Sequence, residues 1–253
     1  MIEKLMKNVN LMKWLVSGFL LIGVVILRAA PVFEESFDDS SHYTAGGNLP
    51  LGYGQIAYGK WYADRIEGIS IVTSEENSLS EPLSLMIETG DLPEEPAEVA
   101  QVWATLGFDN VSGASLTKPL TLKCAFLATQ VDGDEAHCAV LSVNGPSGSP
   151  FFSIQIGMGG TVSTRNQETT DSVGQIVANR WYFLEVLLPD TEQPGASPVV
   201  NLYEVKGKEP GEKIGSLQLP ELKPGAIYTA VVLSNGHPNS KIFFDDILVT
   251  TQD

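Results

Sequence analysis

The sequence predicts an all-β protein, built as an antiparallel sandwich of two sheets. After residue 30 no segment keeps helical spacing, and short runs of β-branched and aromatic residues recur between Gly, Pro, Asn and Asp residues. Within residues 120–126 every second position is apolar: Leu120, Leu122, Cys124 and Phe126. Because Thr121 and Lys123 lie between them, this segment is expected to have one buried and one solvated face.

The β-rich runs predict twelve strands within one domain that covers residues 33–250. They are residues 35–37, 69–73, 83–88, 100–106, 120–129, 138–143, 151–156, 161–164, 181–187, 199–203, 228–234 and 241–250. A chain of 253 residues is compatible with a single large sandwich. Trp103 and Trp181 both fall in predicted strands, and we expect them to be core residues.

Residues 1–30 have the pattern of an export segment. Lys4, Lys7 and Lys13 precede an apolar run over residues 14–27, which Arg28 follows. Fourteen apolar residues are fewer than the ~20 that a spanning helix needs, which favours a cleaved signal peptide over a retained N-terminal membrane anchor. We expect an exported protein, whether secreted, periplasmic or on the cell surface. Any membrane attachment is expected only through residues 14–27.

The composition excludes some partners. The formal net charge is −16, and no run of basic residues occurs after the leader. Nucleic-acid binding depends on Lys and Arg side chains that neutralise phosphates, so nucleic acid is not an expected partner. A hydrophobic content of 43% is enough for a substantial core.

The chain has two cysteines, Cys124 and Cys138, and an exported protein would permit them to form a disulfide. If a hairpin turn centred on Asp132 and Gly133 joins their strands, the two residues are out of register by three positions. A disulfide would then need a bulge or a different turn, and two buried free thiols are the alternative. We predict that residues 132–135, with their three carboxylates, form an exposed hairpin turn rather than a metal loop.

Four segments carry a resemblance to a known class of domains. They are residues 35–38, a Gly-, Tyr- and Trp-rich region at 52–62 followed by residues 69–72, residues 179–186, and residues 244–247. This arrangement resembles the concanavalin A-like, laminin-G-like jelly-roll domains of exported bacterial proteins. The resemblance covers most of residues 33–250. It implies a jelly-roll fold and contact with glycans.

Acidic residues lie at both ends of the predicted domain. The first and last strands of a sandwich commonly lie side by side, which would bring these carboxylates together. Similar jelly-roll modules hold a structural calcium near such termini. The expected ligands are Glu34 or Glu35, Asp38, and Asp245 or Asp246. Alternatively, these side chains are solvated or accept hydrogen bonds from backbone amides.

The Gly-rich region contains aromatic residues that could stack on sugar rings from a loop. The candidate carbohydrate-binding residues are Tyr53, Tyr58, Trp61 and Tyr62, with Gln55, Asp64 and Asn48 as polar partners. The alternative for Trp61 is that it closes one end of the core.

No catalytic signature is present. Glycanases of this fold carry on one strand a Glu, an Asp two positions later and a second Glu after one or two more residues, whereas Glu67, Glu88 and Glu185 each stand alone. A lyase would need a Tyr or His base beside cationic groups, and the histidines are scattered. We therefore expect a non-catalytic, exported carbohydrate-binding module. The alternatives are a polysaccharide-degrading glycosidase or lyase of the same fold, and a structural or adhesive surface protein.

Overall fold

The computed structural model describes the chain from Pro31 to Thr251, with gaps. The described residues are 31–38, 55–57, 61–63, 70–74, 76–80, 82–89, 102–107, 117–131, 138–147, 149–165, 170–235 and 239–251. Sixteen strands lie in these residues and pair antiparallel in two sheets. The predicted two-sheet, all-β jelly-roll sandwich is therefore confirmed.

The strands in chain order are β1 (Pro31–Glu35), β2 (Gln55–Ala57), β3 (Trp61–Ala63), β4 (Ser70–Ser74), β5 (Ser84–Glu88), β6 (Val102–Gly107), β7 (Leu120–Ala128), β8 (Cys138–Asn144), β9 (Pro150–Ile156), β10 (Thr161–Arg165), β11 (Thr170–Gln175), β12 (Trp181–Leu188), β13 (Val199–Lys206), β14 (Glu209–Gln218), β15 (Ala230–Asn235) and β16 (Lys241–Thr251). The first sheet has the order β14-β13-β12-β7-β16-β5-β4, and β1 also pairs with β16. The second sheet has the order β11-β10-β9-β8-β15-β6-β3-β2.

The core fills the space between the two sheets. Alternation along β12 directs Tyr182, Leu184, Val186 and Leu188 into it, where all four are buried. Among the largest fully buried side chains of this core are Tyr228, Phe37, Phe126, Phe244, Leu85, Ile87 and Leu120. Full burial of one such apolar side chain contributes about 1.5–3 kcal/mol. This inward face holds the two sheets together and fixes which residues lie on the opposite face.

β16 is the strand on which the first sheet is organised. It pairs with β7 on one side, and on the other side it pairs first with β5 and then with β1. The pairing Phe244 to Leu85 ends the contact with β5, and the pairing Ile247 to Glu35 is where the contact with β1 begins. The first and last strands lie side by side, as the sequence predicted. A bulge at Asp245 and Asp246 lies between the two partners.

The prediction of a hairpin that joins the two cysteine strands is wrong. β7 pairs with β12 and β16 in the first sheet, whereas β8 pairs with β9 and β15 in the second. The chain crosses between sheets here instead of turning within one, so register arguments between Cys124 and Cys138 do not apply. Cys124 is buried and carries a free thiol, whose pKa is raised, first by burial and then by the charge of Asp245. Residues 132–137 lie outside the described residues.

Four of the observed strands were not predicted from the sequence. β14 was missed because Glu209, Pro210, Gly211 and Glu212 have low strand propensity. It forms because it completes a hairpin with β13 through the turn at Gly207. β2, β3 and β11 were missed as well, since each is short or polar.

The sandwich closes along one side where β14 of the first sheet meets β11 of the second. A side chain is not tolerated at this approach, because a Cβ atom on Gly215 would lie 1.7 Å from the carbonyl oxygen of Val173. A Cβ atom on Gly174 would lie 2.9 Å from the side chain of Ile214 and 3.2 Å from that of Leu202. Glycine at position 215 therefore sets how closely the two sheet edges approach.

Replacing Gly215 by Ala should destabilise the fold by about 1–3 kcal/mol, because the backbone of β11 or β14 has to move. Gly157→Ala is the matched control, since its added Cβ would meet no atom closer than 3.6 Å. Urea unfolding followed by tryptophan fluorescence measures both variants. Equal midpoints for the two would contradict a tight edge contact.

Among the described residues no helix is long and apolar enough to cross a membrane. The export segment, residues 1–30, and the possible anchor at residues 14–27 lie outside the described part of the chain. Export therefore stays a prediction.

Candidate functional site

The face of the first sheet that points away from the core carries a polar network. Along β12 this outer face is formed by Trp181, Phe183, Glu185 and Leu187, which alternate with the core residues. Strand pairing continues it across the sheet. One row aligns Lys123, Glu185, Asn201 and Ser216 on β7, β12, β13 and β14. The next row aligns Asp245, Ala125, Phe183, Tyr203 and Lys213.

Glu185 is the centre of this network. One of its carboxylate oxygens, Oε2, accepts hydrogen bonds from Asn201 Nδ2 and from the hydroxyl of Tyr203, each at 2.9 Å. The other oxygen, Oε1, lies 3.3 Å from Lys123 Nζ. The carboxylate is thus held by three side chains from two neighbouring strands. We call Lys123, Glu185, Asn201, Tyr203, Lys213 and Ser216 the outer-face network.

Asn201 extends the network to the sheet edge. Its side chain is buried, and its Oδ1 accepts hydrogen bonds from Lys213 Nζ at 3.0 Å and from Ser216 Oγ at 2.6 Å. The ammonium group of Lys213 also lies 5.3 Å from the ring centroid of Tyr203, a cation–π distance. A buried amide with both ends engaged cannot rotate, so it holds Lys213 and Glu185 in fixed relative positions.

A bulge in β14 places Lys213 on this face. Leu202 pairs with Gly215 but Tyr203 pairs with Lys213, so Ile214 is an extra residue in β14. Ile214 packs against the core, which leaves Lys213 beside Tyr203 on the outer face. Without this bulge, Ile214 would pair with Tyr203, and Lys213 would lie one position further along β13.

The network shifts the pKa of its two acidic groups in opposite directions. Burial acts to raise the pKa of Glu185, but the hydrogen bonds from Tyr203 and Asn201 and the charge of Lys123 outweigh it, so the pKa lies below the ordinary value. The pKa of Tyr203 is raised to about 12, by burial first and then by its hydrogen bond to Glu185 and the charge of that residue. At neutral pH, Glu185 is therefore ionised and Tyr203 is a hydrogen-bond donor.

Aromatic and apolar groups border the network. Phe183 is buried between Ala125 and Tyr203 in the same row. Trp181 is partly exposed and packs against a small buried cluster of Met86, Leu127 and Phe243. Trp181 was predicted to belong to the core. That prediction is wrong because Trp181 falls on the outward phase of β12, and the cluster it joins lies on the outer face, separate from the core.

The four predicted metal ligands lie at the strand exchange on β16. The carboxylate of Asp245 is fully buried and accepts hydrogen bonds from the backbone amides of Leu79 (2.8 Å), Ser80 (3.0 Å) and Asp246 (2.8 Å). The hydroxyl of Ser80 lies 2.7 Å from Asp246 Oδ1 and 3.2 Å from Asp245 Oδ1. Asp246 itself has a positive φ of 46°, which the bulge requires.

Glu35 and Asp38 also accept backbone hydrogen bonds. Glu35 Oε1 accepts from the amide of Phe37 at 2.9 Å, and Asp38 Oδ1 accepts from the amide of Leu83 at 3.0 Å. In the described part of the chain no three His, Cys, Asp or Glu side chains gather as metal ligands do. The carboxylates thus satisfy amides that the strand exchange leaves without strand partners. The calcium site stays a prediction.

Burial, and then the charge of Asp246, raise the pKa of Asp245 to about 7. Burial is also the main cause of the raised pKa of Asp246. Two adjacent carboxylates in a buried setting cannot both ionise without cost.

The predicted aromatic site lies mainly outside the described residues, which holds for Tyr53, Tyr58, Asp64 and Asn48. For Gln55, Trp61 and Tyr62 the backbone is described. They lie in β2 and β3, so this part of the Gly-rich region is a strand hairpin and not the predicted loop.

The register of β3 distinguishes its two aromatic positions. Trp61 aligns with Leu106, which aligns with the core residue Val231. Tyr62 aligns with Thr105 and Val232, on the other phase. A role for these residues in binding stays a prediction. The alternative that Trp61 closes one end of the core stays a prediction as well.

Sequence reasoning missed the outer-face network because Glu185 stands alone on its strand. Its partners are 16, 18 and 62 positions away, counted from the residue numbers of Asn201, Tyr203 and Lys123. The available signal was the polar Glu185 within an otherwise apolar strand. A charged residue at that position needs partners from neighbouring strands.

The fold class is that of an antiparallel β-sandwich, and several solved structures share it. An alginate lyase from Aplysia kurodai has a TM-score of 0.57 and 14% identity, over 88% of this chain and 100% of the lyase. An endo-β-1,4-glucuronan lyase from the fungus Trichoderma reesei has a TM-score of 0.54 and 10% identity, over 88% and 96%.

A sialidase has a TM-score of 0.56 and 12% identity over 88% of this chain, which spans only 19% of the sialidase. At these identities the likeness establishes the fold alone. No known sequence family matches the chain, and no curated protein sequence does.

Removing the carboxylate of Asp245 should destabilise the fold. Asp245→Ala leaves three backbone amides without their acceptor, and we expect a loss of at least about 2 kcal/mol in the free energy of unfolding. Asp245→Asn keeps one acceptor oxygen and should lose less. Urea unfolding measures both. An Ala variant as stable as the wild type would contradict the capping role.

Tyr203→Phe should raise the pKa of Glu185 towards its ordinary value of 4.5, because one hydrogen bond to the ionised carboxylate is lost. A carboxylate whose pKa is depressed in the fold stabilises it above the unfolded-state pKa, and this stabilisation is lost as the pH falls through the folded pKa. The variant should therefore lose less stability on acidification from pH 5 than the wild type does.

NMR titration of the Glu side-chain carboxyl carbons measures the shift. Tyr182→Phe is the matched control, because Tyr182 lies on the inward phase of β12 and its hydroxyl contacts the amide of Val177 instead. If both Tyr variants leave the pKa of Glu185 unchanged, the hydrogen bond from Tyr203 does not control it.

Proposed function

We propose that this protein is an exported carbohydrate-binding module and that the outer face of the first sheet contacts the glycan. The observation that carries the proposal is the outer-face network, in which six polar side chains from four adjacent strands contact one another and include the aromatic ring of Tyr203. Sugars present hydroxyl groups at their edges and C–H groups on their faces. A surface that combines fixed polar groups with an aromatic ring suits both.

The rigidity of the face supports binding. Its polar groups are held by hydrogen bonds to each other and are carried by strands, so little side-chain freedom remains to be lost when a ligand binds. Tyr203 and Lys213 are partly or largely exposed, whereas Asn201 beneath them is buried. The exposed groups are thus oriented by a buried one.

The chemistry of the network favours binding over catalysis. A lyase needs a base that removes a proton from its substrate, and the Tyr203 hydroxyl, with a pKa of about 12, remains protonated. A glycosidase needs two carboxyl groups that flank the scissile bond, and Glu185 has no second carboxylate among the contacts described for it. The fold is shared with proteins named as alginate and glucuronan lyases, so an enzyme acting on polysaccharide remains the second candidate.

Three further parts of the proposal are expectations from the sequence. Residues 1–30 would direct export, or would hold the protein to a membrane through residues 14–27. A structural calcium would bind at Glu35, Asp38, Asp245 and Asp246. The second candidate binding surface consists of Tyr53, Gln55, Tyr58, Trp61, Tyr62 and Asp64.

An array of plant, algal and host glycans tests the proposal. The chain without residues 1–30 is applied with calcium and with a chelator, and bound glycans are then titrated by calorimetry. We expect saturable binding that weakens at least tenfold in Tyr203→Ala and persists in Val177→Ala, an exposed residue outside the network. Loss of binding in Tyr62→Ala but not in Tyr203→Ala would move the site to the second sheet.

A folded protein that binds no glycan under either condition would refute the proposal and favour a structural or adhesive role. Release of unsaturated or reducing sugar ends from a bound glycan would favour the enzyme. Binding that requires calcium, with a melting temperature raised by calcium in the wild type but not in Asp246→Ala, would support the metal site.

A further inference from the structure

We infer that the outer-face network selects anionic glycans, with the ammonium group of Lys213 contacting the acidic group of the sugar. The inference rests on the proposed glycan-binding face and names the class of ligand that this face accepts. Lys213 is not required for that face to bind neutral sugars, so the two proposals can fail separately.

The charge balance of the network is positive. Lys123 and Glu185 form an ion pair at 3.3 Å, and the remaining Glu185 oxygen accepts two neutral hydrogen bonds. Among the ion pairs of the described residues none includes Lys213, which donates to the amide oxygen of Asn201 instead. The charge of Lys213 is therefore left uncompensated, in a chain whose formal net charge is −16.

Lys213 is also held in one place. Its ammonium group lies 3.0 Å from Asn201 Oδ1 and 5.3 Å from the centroid of the Tyr203 ring. An ammonium group has three N–H donors, and Asn201 accepts only one of them. Since Lys213 is exposed, the other donors are available to a ligand anion.

The acidic residues nearest in sequence do not cancel this charge on the outer face. Glu204 and Glu212 are the neighbours of Tyr203 and Lys213 on their strands, and strand alternation puts them on the opposite phase. Asp245 lies in the same row of the face, but its carboxylate is buried and accepts hydrogen bonds from backbone amides. Glu185 is already paired with Lys123.

Because Lys213 lies beside Tyr203, we expect this face to select anionic sugars over small anions. Lys213 Nζ lies over one face of the Tyr203 ring, 5.3 Å from its centroid, so an acidic sugar that contacts the exposed part of Tyr203 would bring its charged group within reach of Lys213. A carboxylate or a sulfate ester could make this contact, because Lys binds either as a point charge. The other acidic residues of the protein would repel either group, so the charge of Lys213 is needed for the contact.

The test compares three probes by calorimetry: hexagalacturonate, the same hexasaccharide with its carboxyl groups reduced to hydroxymethyl groups, and a sulfated galactan fragment. We expect wild-type protein to bind an anionic probe at least tenfold more tightly than the reduced hexasaccharide, and the preference to shrink between 0.05 and 0.5 M NaCl. Preference for the uronate or for the sulfated probe identifies which acidic group is recognised.

Three variants assign the effect to Lys213. Lys213→Gln should lose the preference and bind all probes alike, whereas Lys213→Arg should retain it. Lys118→Gln is the matched control, because it removes an exposed lysine that is paired with Asp190 and Glu192 away from the network. Near-ultraviolet circular dichroism verifies that each variant is folded.

Equal binding of neutral and anionic probes by the wild type would overturn the inference while leaving the glycan-binding face intact. An anionic preference that survives in Lys213→Gln would also overturn it. If no probe binds, and the glycan array is equally blank, the proposed function itself fails.

Discussion

The first sheet depends on β16 and on the exchange of its partners at Asp245 and Asp246. One edge of this strand pairs with β5 and then with β1, and between them the bulge leaves backbone amides without strand partners. The carboxylate of Asp245 accepts hydrogen bonds from the amides of Leu79 and Ser80, and that of Asp38 accepts one from the amide of Leu83, all in the segment that leads into β5. An unsatisfied buried amide would cost about 1–3 kcal/mol, so the acidic residues make the exchange possible. The pairing of β1 with β16 brings the two termini of the domain together.

The same strand joins this structural device to the candidate site. Asp245 occupies the outer face in the row that continues through Ala125, Phe183, Tyr203 and Lys213. Because the carboxylate of Asp245 is buried and accepts hydrogen bonds from the amides of Leu79 and Ser80, one end of the row is closed. The other end, at β13 and β14, remains open to solvent. The outer face is therefore accessible at the sheet edge where the polar network lies.

The contacts of Glu185 within the outer-face network keep its carboxylate ionised and let it orient its neighbours. In isolation a carboxylate within an apolar strand would be costly, but two hydrogen bonds and one ion pair lower its pKa and keep it ionised. In return it raises the pKa of Tyr203 and orients Asn201, which then holds Lys213. The exposed groups are thus fixed by the buried ones.

The sequence alone determined the all-β class, most of the strands and the meeting of the two acidic termini of the domain, because alternation with a period of two and the placement of charges at the ends of the predicted domain can be read along the chain. Tertiary structure decided the rest. Cys124 and Cys138 went to different sheets, and Trp181 joined the outer face, because pairing between distant strands sets the phase of each one. The polar network depends on a single extra residue in β14, Ile214, and a register shift of that kind has no local signature in the sequence.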